Sequence, residues 1–231
     1  MALENLGMII AAGGSGSRFS RTENKLLADF RNKPLIVHCL STFLPVLKPG
    51  NLVIAAPAAE LENMKCIVER FLPGNSIRWT IGGATRLASV SNALKLLPLD
   101  LELVAIHDAA RPLATAQLLT DLCCEALSVG GAIPGVPPVD TVKAVDENGI
   151  ITQNLIRSEL ALVATPQVFR AAEYRQAFEL LPQELLDGTL ESLRLTDDAA
   201  VFCNAGFRVR VLPGCESNPK ITHPGDIGKI L

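Results

Sequence analysis

The sequence predicts an α/β fold: a mostly parallel sheet with helices on both faces and a protruding β-hairpin arm. Short apolar runs alternate with amphipathic stretches as far as Pro134, where this rhythm breaks at a proline-rich segment. Two extended runs then flank the pair Asn148-Gly149. Alternating strands and helices are typical of parallel sheets, and Asn-Gly between apolar runs is a strong hairpin signal.

The first part of the chain contains four strand–helix pairs. Pro34 suits the first turn of a helix, and the fourth helix is expected to stop at Gly130 and Gly131. Ligands of parallel sheets bind at the carboxyl ends of the strands, so the loops after the first and fourth strands are expected to lie together. The predicted strands are Met8–Ala12, Asn51–Ala56, Ile77–Ile81 and Leu103–His107, and the predicted helices are Pro34–Leu47, Ala59–Phe71, Arg86–Leu97 and Thr115–Ser128.

The second part of the chain holds the arm, at about residues 137–160, and then returns to the earlier pattern. We find no internal repeat, low-complexity tract or interdomain linker, so we expect residues 1–231 to form one domain with an arm. Gly206 is expected to close the last helix. The remaining predicted elements are a strand at Ala161–Thr165, helices at Arg170–Leu181 and Asp197–Ala205, and a strand at Arg208–Leu212.

Composition limits the possible partners and location. The 231 residues are 48% hydrophobic and 19% charged, which is enough for a sizeable core. A net charge of −3 with no basic run argues against nucleic acid and against an anionic membrane surface. The start MALENLG has no basic residue, and no apolar run reaches the ~18 residues of a membrane span. We therefore expect a soluble cytoplasmic protein that binds neither nucleic acid nor membrane.

The cysteines predict no metal site. None forms a C-x-x-C pair, and none has zinc-ligand spacing from a histidine. We expect them to be reduced and mostly buried, as small hydrophobic residues. They are Cys39, Cys66, Cys123, Cys124, Cys203 and Cys215.

A glycine-rich loop, IIAAGGSGSRF, follows the first predicted strand. It lacks the Lys-Ser/Thr pair of the P-loop, and Phe19 stands where the dinucleotide fingerprint has its third glycine. Arg18 and Lys25 remain beside a backbone that a phosphate can approach closely. The loop is either a triphosphate cradle or a plain glycine turn with solvated cations, and its own residues leave both interpretations open.

Five further motifs decide between these interpretations. They are VAIHDAARPL, GGATRLASV, ATPQVF, LTDDAA and NPKIT. In order and spacing, together with the glycine loop, they resemble the 2-C-methyl-D-erythritol 4-phosphate cytidylyltransferase family over nearly the whole chain. The resemblance implies a Rossmann-like nucleotidyltransferase fold and transfer of a cytidylyl group from CTP to a polyol phosphate. It also implies Mg²⁺ bound mainly by the CTP phosphates and a homodimer formed through the arm.

The resemblance assigns roles to individual residues. Arg18 and Lys25 match a pair that stabilises the transition state, and Arg157 and Lys220 match residues that position the substrate phosphate. Thr141 and Arg157 lie on the arm and are expected to serve the neighbouring subunit's site. The expected nucleotide-binding residues are Ala11, Ala12, Gly13, Gly16, Gly83, Ser89 and Ala109. The expected substrate-binding residues are Asp108, Arg111, Thr141, Thr165 and Thr196.

Several of these residues also have structural interpretations. Asp197 is either a helix N-terminal carboxylate or a ligand contact, whereas Asp198 is expected to be only the former. His107 is expected to be structural because the attacking phosphate needs no general base. Thr165 could instead satisfy the backbone beside Pro166. The pattern departs from the family at Asn24-Lys25-Leu26, at Asn218-Pro219-Lys220 and at Ala84, which follows the paired glycines.

Three other functions compete with this one. A ribitol-5-phosphate cytidylyltransferase shares the glycine loop and most phosphate contacts. A dinucleotide-dependent dehydrogenase is disfavoured by the missing third glycine. A nucleotide-binding module without turnover is disfavoured because Arg18, Lys25, Arg157 and Lys220 are all present.

Overall fold

The computed structural model describes residues 3–13, 24–190, 195–214 and 217–229. The predicted site residues Gly16 and Arg18 lie outside these residues. The described strands are β1 Leu6–Ala11, β2 Asp29–Phe30, β3 Lys33–Pro34, β4 Leu52–Ala56, β5 Arg78–Ile81, β6 Leu103–Asp108, β7 Gly131–Val136, β8 Lys143–Val145, β9 Ile151–Asn154, β10 Leu162–Val163, β11 Gln167–Arg170 and β12 Val209–Pro213. The described α-helices are α1 Leu35–Phe43, α2 Leu61–Phe71, α3 Arg86–Leu94, α4 Ala116–Val129, α5 Ala171–Glu179, α6 Gln183–Asp187, α7 Asp198–Asn204 and α8 Pro224–Lys229.

The central sheet has the order β10-β7-β11-β6-β1-β4-β5, and β12 pairs with β7. Strand β1 pairs in parallel with both β4 and β6, so that Ile9 lies between Val53 and Ile106. Strands β10 and β11 run antiparallel to their neighbours, which makes the sheet mixed but mostly parallel. The predicted α/β fold is confirmed.

The core lies on both faces of this sheet, because successive strand side chains point to opposite sides. Met8 and Ile10 pack with helices α1, α2 and α4 on one face, whereas Ile9 packs with α3, α5 and α7 on the other. Strands β1, β4 and β6 are therefore almost continuously apolar, as is typical of parallel sheets covered on both sides. This packing brings the carboxyl ends of β1 and β6 to one edge.

The predicted hairpin is present. Strands β8 and β9 pair antiparallel as a separate two-stranded sheet. Gly149 turns the chain with a φ of +79°, a conformation that favours glycine. The Asp146 carboxylate accepts hydrogen bonds from the amides of Asn148 and Ile150, at 3.0 and 2.9 Å, and so closes the turn. Hydrogen bonds within the turn and between β8 and β9 therefore hold the arm together.

Three predictions were wrong at particular residues. Helix α1 ends at Phe43, because Pro45 lacks an N–H and the chain turns through a short 3₁₀ segment instead. The strand predicted at Ala161–Thr165 is only Leu162–Val163, and the unpredicted β11 follows it. Strand β7 was missed, because Gly131, Pro134 and Gly135 are typical of a loop.

The cysteine prediction is confirmed in part. The five cysteines in the described residues are free thiols. Cys39 and Cys123 are buried, but Cys66, Cys124 and Cys203 are exposed, contrary to the prediction. These three lie on α2, α4 and α7, where a helix between core and solvent leaves one face uncovered.

Within the described residues, we find no helix with the length and apolar character that crossing a membrane requires. A cytoplasmic location stays a prediction.

Candidate active site

A cavity of about 390 Å³ opens at the carboxyl ends of β1 and β6. Eight of the predicted site residues line it, drawn from the glycine loop, the paired-glycine motif, the HDAARP turn and the NPK motif. The described lining is Ala11, Ala12, Gly13, Lys25, Leu26, Gly83, Ala84, Thr85, Arg86, Ser89, Asp108, Ala110 and Lys220. The fold thus brings together motifs that are far apart in the sequence.

One wall of the cavity is backbone held close to a helix. The Ser89 hydroxyl accepts a hydrogen bond from the Gly83 amide at 3.0 Å and donates to the Thr85 carbonyl at 2.9 Å. A Cβ on Gly83 would lie 2.3 Å from Cβ of Ala88, so only glycine fits there. Thr85 caps helix α3 by accepting from the Ala88 amide at 3.0 Å. This wall can present small side chains and backbone polar groups to a flat ring.

The opposite part of the cavity is a cluster of cations around Asp108. One carboxylate oxygen lies 2.9 Å from Lys220 Nζ and 3.7 Å from Arg111 Nε, and the other lies 3.6 Å from Arg86 Nη2. Burial raises the pKa of Asp108, but Lys220 and Arg86 outweigh that effect and lower it to about 2. Asp108 is therefore a carboxylate at neutral pH and is outnumbered by positive charge.

Arg86 is a residue of this cluster that the sequence analysis missed. Its Nη2 lies 2.7 Å from Oδ2 of Asp198, a fully buried residue. The other carboxylate oxygen of Asp198, Oδ1, accepts from the Tyr174 hydroxyl at 2.5 Å. Burial lowers the pKa of Arg86, but the nearby carboxylates of Asp198 and Asp108 raise it by more. The net effect is a raised pKa, so the guanidinium stays charged. Nothing in GGATRLASV reveals these partners, because they lie far along the chain.

The prediction for Asp198 is confirmed in position, because Asp198 lies in the first turn of α7, but it misses the ion pair that this carboxylate makes. The helix-capping role belongs to Asp197, whose carboxylate accepts from the Ala200 amide at 2.9 Å and from Gln167 Nε2 at 2.8 Å. Asp198 instead carries a buried charge that Arg86 balances. The physical reason is position: the first residue of α7 faces the core, whereas the preceding residue faces the helix end.

Lys25 lies at the start of a 3₁₀ turn, Lys25–Leu27, which the Asn24 side chain caps by accepting from the Leu26 amide at 3.0 Å. Its Nζ donates to the Ile221 carbonyl at 3.3 Å, next to Lys220. The departure Asn24-Lys25-Leu26 thus keeps the lysine at the cavity. Lys25, Arg86 and Lys220 carry more positive charge than Asp108 and the buried Asp198 together balance, which suits a polyanionic ligand.

The other predicted residues lie outside the described cavity lining. Ala109 is fully buried beneath it. Arg111 borders a neighbouring cavity with Asn218, and its Nη1 donates to the Asn218 carbonyl at 2.9 Å. The Thr165 hydroxyl is buried and accepts from the Asp108 amide at 3.0 Å.

Thr141, Arg157 and Thr196 are exposed. Thr141 and Arg157 lie on the arm, where Arg157 Nη1 donates to the Val139 carbonyl at 2.7 Å. The structure therefore does not bring the two arm residues to the cavity of their own chain.

The described residues contain no group of three or more His, Cys, Asp or Glu side chains able to hold a metal ion. A cavity with excess cations beside a glycine backbone is suited to phosphates rather than to a bare metal. With this placement at the carboxyl edge of a mostly parallel sheet, the fold and the site define an α/β nucleotidyltransferase.

Comparison with known proteins identifies the family. The family model described as 2-C-methyl-D-erythritol 4-phosphate cytidylyltransferase matches residues 6–230. A protein of that name from a Nostoc species is 36% identical over 95% of this chain and 93% of its own. One from Solibacter usitatus is 33% identical over 96% of this chain and 92% of its own. The chain belongs to this family.

Solved structures agree with this assignment. The crystal structure of 2-C-methyl-D-erythritol 4-phosphate cytidylyltransferase from Thermus thermophilus matches with a TM-score of 0.74 and 27% identity. The match covers 97% of this chain and 96% of that one. The alternative of a ribitol-5-phosphate cytidylyltransferase is not favoured by these matches.

Proposed function

We propose that the protein transfers the cytidylyl group of CTP to 2-C-methyl-D-erythritol 4-phosphate. The products are 4-diphosphocytidyl-2-C-methyl-D-erythritol and pyrophosphate, in the non-mevalonate route to isoprenoid precursors. Besides family membership, one observation carries the proposal: Asp108 is surrounded by Lys220, Arg86 and Arg111 at the edge of a cation-rich cavity. Such a site can hold two anionic reactants close together.

The chemistry fits these residues. A phosphate oxygen of the polyol phosphate attacks the α-phosphorus of CTP, and the bond from that phosphorus to the β-phosphate bridging oxygen breaks. The attacking oxygen is already anionic, so no general base is needed. The barrier comes from repulsion between anions and from charge that develops on the leaving pyrophosphate, and fixed cations lower both. Lys25 and Lys220 are placed for this task. The resemblance assigns the same task to Arg18.

We propose that Mg²⁺ accompanies CTP and is held mainly by its phosphate oxygens. Mg²⁺ in phosphate sites commonly takes few protein ligands. Asp108 is the acidic residue of the described lining, and its oxygens already face Lys220, Arg111 and Arg86. The residues present therefore fit a metal that arrives with the nucleotide, which adds charge neutralisation on the triphosphate.

We also propose that the active form is a homodimer in which each arm serves the neighbouring site. The arm exposes large apolar side chains, with Val139 76%, Ile150 64% and Ile156 60% exposed. A second subunit would cover these side chains, and a closed two-fold contact also protects exposed strand edges. Thr141 and Arg157 of one subunit then reach the phosphate of the substrate bound in the partner subunit's cavity.

Release of pyrophosphate from CTP tests the proposed reaction. We expect release with 2-C-methyl-D-erythritol 4-phosphate and Mg²⁺, and much slower release when ribitol 5-phosphate is offered instead. ATP and GTP should be poor substitutes, because the wall from Gly83 to Ser89 is held in place by the Ser89 hydroxyl and is expected to match cytosine. Equal rates with ribitol 5-phosphate would contradict the assigned substrate, and equal rates with a purine triphosphate would contradict the assigned base pocket.

A further inference from the structure

A buried hydrogen-bonded relay lies behind the Asp108–Arg111 turn. The Asp108 amide donates to the Thr165 hydroxyl at 3.0 Å, and that hydroxyl lies 3.0 Å from Nδ1 of His107. The other ring nitrogen, Nε2, lies 3.1 Å from the Arg111 carbonyl. His107 is fully buried, and Thr165 is 5% exposed.

The direction of each hydrogen bond in this relay is determined. A carbonyl oxygen only accepts, so Nε2 of His107 carries the proton and donates to Arg111. Burial lowers the pKa of His107 to about 4, so the ring is neutral and Nδ1 is an acceptor. The Thr165 hydroxyl must then donate to Nδ1, which leaves its oxygen free to accept from the Asp108 amide.

A second set of bonds ties this turn to the segment that carries Lys220. Asn218 Nδ2 donates to the Thr165 carbonyl at 2.9 Å, and the Asn218 carbonyl accepts from Arg111 Nη1 at 2.9 Å. The Ile221 amide donates to the Ala110 carbonyl at 2.9 Å. Three segments far apart in sequence are thus connected behind Asp108, Arg111 and Lys220.

We propose that His107 and Thr165 are positioning residues of the reaction, because their relay fixes the turn that aims Asp108 and Arg111 at the polyol phosphate. The inference rests on the proposed function. Neither side chain lines the cavity, and on this proposal Thr165 acts from behind the site rather than as the substrate ligand that the resemblance implies. The nucleotide wall, Gly83 to Ser89, makes none of these hydrogen bonds and meets the turn through the ion pair of Arg86 with Asp108 at 3.6 Å.

The relay predicts a loss confined to one substrate. Thr165→Val keeps the side-chain shape but removes the hydroxyl at the centre of the relay. We expect kcat/KM for the polyol phosphate to fall roughly 10- to 100-fold, as for small misplacements of a binding group. The KM for CTP should stay within about twofold. Thr165→Ser keeps the hydroxyl, and we expect it to restore most of the activity.

Thr115→Val is the matched control, since the Thr115 hydroxyl accepts from the Leu118 amide at 3.1 Å at the start of α4, away from the site. It should lower the melting temperature without changing the KM for the polyol phosphate. If Thr165→Val does not fold, His107→Asn replaces it, since Asn keeps an acceptor for Thr165 but is too short to donate to Arg111.

The measurements are steady-state pyrophosphate release with each substrate varied in turn, and thermal unfolding of every variant. A wild-type chain that is inactive with CTP and the polyol phosphate overturns the proposed function, and the inference with it. An active wild type whose Thr165→Val variant keeps the wild-type kcat/KM for the polyol phosphate overturns the inference alone. So does a variant in which both KM values rise together, because that is the result expected of general destabilisation.

Discussion

The cation cluster around Asp108 and the hairpin arm differ in how completely each is held by its own chain. Asp108 is 8% exposed, and its carboxylate is paired with residues of three separate segments. The arm residues Thr141 and Arg157 are exposed, and within the described part of the chain the Arg157 side chain bonds locally, to the Val139 carbonyl. Both regions carry predicted functional residues, yet only the cluster is assembled within one subunit.

This difference shows which of the two regions is held in place by the core of its own chain. The cluster is fixed by the buried core, since Arg86 is anchored by Asp198 and Tyr174 and Asp108 ends a central strand. The arm has its own small sheet and leaves its apolar side chains uncovered. A change in the cluster should therefore affect catalysis or stability in the chain that carries it. In the proposed dimer, a change in the arm should instead affect catalysis at the partner subunit's site.

The largest expected effect is on catalysis at the cluster. Lys25→Ala removes a cation from the cavity lining, and we expect kcat to fall roughly 10²- to 10³-fold, as when one preorganised charge is lost. The fold should survive, because Lys25 is only partly buried and lies at the cavity. Lys65→Ala is the control, since Lys65 pairs only with Glu62 on the exposed face of α2 among the described ion pairs. Near-normal turnover by Lys25→Ala would remove this residue from the mechanism.

The next effect is on stability. Asp198→Asn leaves the Arg86 guanidinium without its buried counter-charge, and we expect a loss of about 3 kcal/mol in the free energy of unfolding. This is the low end for a broken buried pair, because the Arg86 side chain is 33% exposed. In the arm, Ile156→Asn should change the unfolding of the isolated chain by less than about 0.5 kcal/mol. Urea denaturation at low protein concentration measures both, and equal losses would erase the contrast between the two regions.

The sequence predicts the parts of the fold whose signals are local. Strand β6 and the hairpin about Asn148-Gly149 follow from apolar runs and turn chemistry. Strand β7 was missed because its small residues are required by packing that no local pattern reveals. A Cβ on Gly131 would lie 2.8 Å from the Phe169 ring, and one on Gly135 would lie 2.6 Å from Val211.

The site follows the same rule. The glycine wall, Lys25, Asp108 and Lys220 belong to recognisable motifs, and the fold brings them to one cavity. Arg86 was missed because an arginine at the first position of a helix is usually solvated, and only the tertiary structure shows that Asp198 is buried beside it. Sequence motifs indicate which loops meet, but not which buried partner holds a side chain.

The third prediction tests whether the arm acts on its partner. Lys25→Ala and Arg157→Ala chains are each expected to be nearly inactive. When they are mixed under subunit exchange, about half of the dimers should be mixed, and each should have one complete site, so activity near a quarter of wild type should return. Arg157 acting within its own subunit would leave every site with one defect and restore nothing. Analytical ultracentrifugation and labelled-subunit exchange confirm that mixed dimers form.

The smallest expected effect concerns the charge on Asp108. Its pKa lies at about 2, below the 3.8 of an unperturbed aspartate, because Lys220 and Arg86 outweigh burial. Its contribution to stability is therefore complete above about pH 4 and is lost as the pH falls toward 2. Lys220→Met should lower the free energy of unfolding at pH 7 by less than about 1 kcal/mol, because the Lys220 side chain is 44% exposed. The free energies of unfolding of wild type and Lys220→Met should converge as the pH falls from 4 to 2, since protonated Asp108 no longer attracts Lys220.

Lys143→Met in the arm is the matched control, because Lys143 donates to the neutral Asn154 amide oxygen at 2.6 Å. Its effect on the free energy of unfolding should be the same at pH 7 and at pH 2. A Lys220→Met deficit that is undiminished at pH 2, where about half of the Asp108 carboxylates are protonated, would show that Lys220 stabilises the fold through packing or another partner, and not through Asp108.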